Sequence, residues 1–147
     1  MRGVRRTAVA RSSLLVLLAL LGGCGRGDDP TAATPELVYG DGFLSPLEDA
    51  RIEAADGTVV RGYDAWLKLL PSAELVPRHE ADYRYRDCAE PRAFFNRVLG
   101  DDELSQSRSR LVCREYRDPR LDFDNGRWLV EDAVDGRVYF RVWKRSP

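Results

Sequence analysis

The feature that most constrains this chain lies at its start, where residues 14–21 read LLVLLALL. Arg2, Arg5, Arg6 and Arg11 precede that apolar run, no acidic residue does, and Gly22, Gly23 and Cys24 follow it. A cationic start, a short apolar middle and small residues at a cut form the three-part layout of a secretory signal. The run falls well short of the ~20 residues that a membrane-spanning helix needs. Residues 1–23 are therefore expected to be removed. What remains of the 147 residues is enough for one domain and not two.

The junction Leu21-Gly22-Gly23-Cys24 resembles the bacterial lipobox, with Leu three places before the cysteine and small residues between. The resemblance covers residues 1–24. It implies a lipoprotein, with diacylglycerol on the Cys24 thiol and a cut before Cys24. Fatty acid such as palmitate on the new amino terminus is also implied. Two or three acyl chains give stable anchoring where one is marginal. The implied location is the extracytoplasmic face of a bacterial membrane. Gly25 stands where an Asp would resemble an inner-membrane retention signal, so the outer membrane and the periplasm are favoured if the host has two membranes. Residues 24–35 are expected to be the lipidated cysteine and a flexible tether, because GRGDDPTAATP has no apolar periodicity. A single domain is expected over residues 36–147.

Removing residues 1–23 takes away four of the 23 basic residues and none of the 24 acidic ones, which leaves 19 − 24 = −5. An acidic domain without a basic stripe is a poor partner for nucleic acid, whose phosphates require clustered cations. Once Cys24 is lipidated, Cys88 and Cys113 have one pairing open to them. A disulfide, preserved in an oxidising compartment, is favoured over free thiols or a metal pair. His79 is the only histidine, and a metal site needs more ligands than this. Neither a metal nor a cofactor is expected.

The fold class expected is α+β: an antiparallel sheet with two short helices. Asn125-Gly126 and Asp135-Gly136 are hairpin signals. They predict a three-stranded meander over 119–124, 127–134 and 137–144. The first turn would pair Phe123 with Trp128 and Leu121 with Val130. The second would pair Ala133 with Val138 and Leu129 with Val142. Alternation then puts Leu121, Phe123, Trp128, Val130, Tyr139 and Trp143 on one face. Leu129, Ala133, Val138, Phe140 and Val142 fall on the other, so the sheet should be covered at least partly on both sides. Glu131 fits poorly there. Ser109–Tyr116 and residues 81–87 are further candidate strands. Helices are predicted over 91–99 and, from Trp66, Leu67, Leu69 and Leu70, over 63–70. Asp56-Gly57, between 50–55 and 58–62, is a third candidate hairpin.

Catalytic constellations are not found in the sequence. His79-Glu80 opens like a zinc-protease helix, but the position of the second histidine holds Tyr83. Asp118–Gly126 lacks the ligand spacing of a calcium loop. No serine stands in a nucleophile elbow and no glycine loop forms a phosphate cradle. The acid pairs Asp28-Asp29, Glu48-Asp49 and Asp101-Asp102-Glu103 suit solvated loops and caps. Tyr83, Arg84, Tyr85 and Arg86 are the candidate binding surface, since Tyr and Arg dominate hot spots. The leading expectation is a non-enzymatic envelope module that binds a protein or cell-wall component. The second is an inhibitor of an envelope-directed enzyme, because small exported lipoproteins with one disulfide and a β-rich body resemble periplasmic lysozyme inhibitors. The third is a small enzyme or ligand-binding protein with a pocket between helix and sheet. Residues 57–67, GTVVRGYDAWL, resemble the stretch before a helix in polyketide-cyclase-like proteins of the cone-shaped α+β class. The helices that class places upstream have no room between residues 36 and 50, and no active site is carried over.

Overall fold

The computed structural model describes residues 32–59, 62–100, 104 and 111–145. The signal, Cys24 and most of the expected tether lie outside them. Six antiparallel strands form one sheet: β1 (Ala50–Thr58), β2 (Tyr63–Pro71), β3 (Arg84–Tyr85), β4 (Leu111–Tyr116), β5 (Asn125–Asp132) and β6 (Val138–Lys144), in the order β1-β2-β6-β5-β4-β3. Helix α1 (Pro35–Gly42) covers one face and α2 (Ala89–Leu99) the other. The fold is α+β, as expected, but one of its two helices is not the one the sequence suggested.

Helix α1 begins where the tether was expected to end. Thr34 Oγ1 accepts the Leu37 N–H at 3.3 Å and Pro35 occupies the first turn, a standard N-terminal arrangement. Ala32 already pairs with Thr58, so the last four residues of the expected tether belong to the fold. Val38, Tyr39 and Phe43 pack on Leu67, Leu129, Phe140 and Val142. Across the sheet, Phe94 and Phe95 of α2 pack on Trp128, Val130, Tyr139 and Trp143, with Leu104. The two faces expected for β5 and β6 are therefore the faces observed, and both are covered. Pro91 sits in the first turn of α2 and Gly100 follows its end at φ 99°. A Cys88–Cys113 disulfide ties the start of α2 to β4. Closing a loop of 25 residues stabilises the fold by roughly 3.5 kcal/mol in the chain-entropy model.

Five local expectations are corrected. Residues 63–70 are strand, not helix. Ala65, Leu67 and Leu69 are fully buried on the α1 face while Trp66 packs against the α2 cluster. Apolar residues on both sides of a covered strand mimic a helical stripe. Residues 119–124 are not a strand and Asn125-Gly126 is not a turn; both residues open β5, which pairs with β4 through Val130↔Cys113 and Trp128↔Glu115. Gly126 is there for space: a Cβ would sit 2.3 Å from the Trp143 indole. Gly57 likewise lies inside β1, where a Cβ would sit 2.3 Å from that of Ala65, so 50–58 is one strand paired with β2 and Asp56-Gly57 is not a turn. Of the three predicted hairpin glycines only Gly136 turns the chain, at φ 74°, and the β5–β6 register is Leu129↔Phe140, two residues from the pairing expected. A shift of two leaves every side chain on its expected face. Residues 81–87 hold a short 3-10 turn at Glu80–Asp82 and only two paired residues.

Two acids settle at polar seams. Glu131 lies opposite Val138 and pairs with Arg114 at 3.0 Å. Glu53, at the bulge in β1, accepts from Arg137 at 2.7 Å, and that bond holds its carboxyl down at about 2 despite partial burial.

Replacing Gly126 with Ala is expected to cost about 1–3 kcal/mol through overpacking. Denaturant unfolding of Gly126→Ala, Trp143→Phe and the pair should give a coupling above about 0.5 kcal/mol. Additive effects would contradict the contact.

Candidate functional site

Central strands covered on both sides leave little room for an unanswered polar group. Arg141, in the middle of the α2 face, is answered fully. It is 7% exposed, and its Nε and Nη2 donate to the Asp64 carboxylate at 3.0 and 2.7 Å. Its guanidinium lies 3.9 Å from the centre of the Phe94 ring and about 5 Å from Trp128 and Trp143. Acids and arginines alternate around these rings, from Glu90 through Arg86, Glu115, Arg117, Asp124 and Arg145 to Asp64. Both indole N–H groups donate into this chain, Trp128 to Glu115 and Trp143 to Asp124. Such a run of pairs fixes the tryptophans.

The α1 face differs at one end. Arg127, opposite Val142 and Tyr116, lies 5.4 Å from the Tyr116 ring. Its Nε is buried with no acceptor, and among the described residues no carboxylate pairs with it. Lys144 is a second such cation, its Nζ 5.9 Å from the Tyr63 ring. The hydroxyls of Tyr63 and Tyr83 are also buried without a partner. Burial pushes the Tyr63 hydroxyl up, and the Asp41 carboxylate adds to this without reaching hydrogen-bond geometry. Burial pushes Tyr83 up to about 12, so both remain neutral O–H donors.

Arg127 and Lys144 line one cavity of about 100 Å³ with His79, Tyr116, Asn125 and Asp118. Asn125 is fully engaged: its amide donates to the Asp118 and Phe123 carbonyls and its oxygen accepts the Asp118 N–H. Asp118 is engaged as well, since Arg120 donates to both its oxygens and holds the carboxyl well below its usual range. His79 stacks on Tyr116 at 4.8 Å and 9°. Its backbone is left-handed, φ 60°, the only such non-glycine among the described residues. The cost of that conformation, about 1–3 kcal/mol, is offset by clamps on either side. Arg78 bonds the Gly40 and Gly42 carbonyls, and the Asp82 N–H returns to the His79 carbonyl. Beyond His79 lies an open cleft rimmed by Arg84, Arg117 and Arg120.

The candidate surface read from the sequence is divided by strand alternation. Tyr83 points inward, 6.0 Å from Tyr116. Arg84 folds onto the Ala81 and Tyr83 carbonyls at the outer cleft. Tyr85 is 82% exposed. Arg86 belongs to the opposite face, paired with Glu90 and Glu115 and 5.0 Å from the Trp128 ring. Arg127 and Lys144 were missed. The available signal was their parity: both share a face with Leu129, Phe140 and Val142, where a lone cation has no carboxylate to meet. Among the described residues no three His, Cys, Asp or Glu side chains gather as a metal site would require, and no helix is long and apolar enough to cross a membrane.

The chain matches no family model, and no curated protein or solved structure matches it.

Tyr85→Ala should change stability by less than about 0.5 kcal/mol, as an exposed side chain does. Arg86→Ala should cost about 1–2 kcal/mol from its pairs and its ring contact. Equal effects in thermal unfolding would contradict the division of this segment between two faces.

Proposed function

We propose that this protein is a lipid-anchored binding module of a bacterial cell envelope, and that it binds its ligand at the cleft around Arg127. The observation that carries the binding reading is two cations and two tyrosine hydroxyls gathered without acceptors at one end of a covered sheet. Around the cavity Arg127 and Lys144 can donate hydrogen bonds and His79 and Tyr116 present aromatic faces, which suits holding a ligand. Anchoring is supported by the lipobox-like junction at Cys24. It is supported also by the Cys88–Cys113 disulfide, which fits an oxidising compartment and leaves Cys24 as the odd cysteine. The chain enters the fold at Ala32↔Thr58, the end of the sheet that also holds Tyr63, Lys144 and Asn125. An anchor at Cys24 would keep that end nearest the bilayer. A cell-wall component or an envelope protein, including an enzyme to be inhibited, would be met there.

Cells expressing the full chain with labelled fatty acid should incorporate label into the wild type and not into Cys24→Ser, and the variant should leave the membrane fraction. Labelling that persists in Cys24→Ser would refute the anchor.

A further inference from the structure

The cleft carries a narrower conclusion about its ligand, which rests on the binding reading above. Among the described arginines, most with buried contacts have a carboxylate: Arg86, Arg114, Arg137 and Arg141 all do. Arg92 and Arg127 do not, and Arg127 stands on a covered face where an unanswered charge is costly. Lys144 occupies the next row of the same face and also lacks one. Asp118, the one acid that lines the cavity, is held by Arg120. Asp41 lies against the Tyr63 hydroxyl, and among the described residues it makes no ion pair with Arg127 or Lys144. Two uncompensated cations on one small cavity favour a ligand that brings its own negative charge and accepts several hydrogen bonds.

Size limits the choice. At about 100 Å³ the cavity is smaller than the ~150 Å³ that admits a benzene-sized ring, so it suits a compact oxyanion head. The flat His79–Tyr116 stack forms one wall, and the outer cleft begins at the same two residues. We propose that the cavity binds an oxyanion, a phosphate or carboxylate head, between Arg127 and Lys144, with the rest of the ligand passing His79 into the outer cleft. The guanidinium supplies paired donors in one plane and the ammonium a point charge.

His79 makes the test direct, because a protein with a single histidine gives one set of imidazole signals beside the cavity. The full chain, purified from membranes in a non-ionic detergent, is titrated at constant pH with inorganic phosphate, with acetate and, for ionic strength, with chloride. Saturable movement of the His79 resonances with phosphate or acetate, but not chloride, is expected, and the stronger of the two names the head group. Arg127→Gln should weaken the response at least tenfold. Lys144→Gln, at the more exposed edge, should weaken it several-fold with its spectrum otherwise unchanged. No saturable shift with either oxyanion would overturn the proposal, as would a response that chloride reproduces or that both variants retain. Fatty-acid labelling of Cys24 is unaffected by any of these results. A ligand captured from envelope extracts that binds wild type and Arg127→Gln equally would keep the binding module while removing the oxyanion site.

Discussion

Everything in this structure depends on a sheet whose central strands are covered on both faces. Six of the seven residues of β6 are buried, and α1 and α2 lie on opposite sides of it. In such a layer each polar side chain must find a partner or remain at a cost of several kcal/mol. Arg141 finds Asp64 and three aromatic rings. Asn125 finds the 118–123 loop, and Asp132 takes the Val134 N–H and so shapes the β5–β6 turn. Arg127 finds only the face of Tyr116. With the buried hydroxyls of Tyr63 and Tyr83, it makes this end of the sheet the place where unanswered polar groups gather on the α1 face.

The same constraint explains which parts of the fold were legible. Alternation in β5 and β6 assigned both faces correctly, because Trp128, Val130, Tyr139 and Trp143 share one parity and Leu129, Phe140 and Val142 the other. Helix α2 was legible from Pro91, Gly100 and its apolar stripe. The segment 63–70 was not, since a strand buried on both sides loses its period. Glycine misled twice. Gly57 and Gly126 follow Asp or Asn and imitate turns, yet each serves to let Ala65 or Trp143 approach the backbone. Helix α1 had a readable start in Thr34-Pro35-Glu36, but Thr34 and Pro35 fall in the expected tether.

The site was only partly legible. Arg84 lines the outer cleft, and Tyr83 packs against Tyr116 without lining either cleft or cavity. They could not reveal Arg127 and Lys144, which come from strands more than 40 residues along the chain and meet His79 only through the fold. Nor does a sequence disclose that a cation lacks its acid. That property belongs to the packed structure, where Glu115, Glu131 and Asp64 are spent on other arginines.

The most direct measurement compares Arg127→Met with Arg141→Met by denaturant unfolding in buffer free of phosphate and carboxylates. Both changes keep an unbranched chain of similar length and remove one charge. The expected result is a loss of about 2–3 kcal/mol for Arg141→Met, which gives up two charge-assisted hydrogen bonds to Asp64 and its contacts with three rings. For Arg127→Met the expected change is less than about 1 kcal/mol, or a gain in stability, because a charge without a partner is exchanged for an apolar chain. A loss at Arg127 equal to that at Arg141 would mean that its guanidinium is already answered within the fold, and the cleft would then hold no vacancy for an anion.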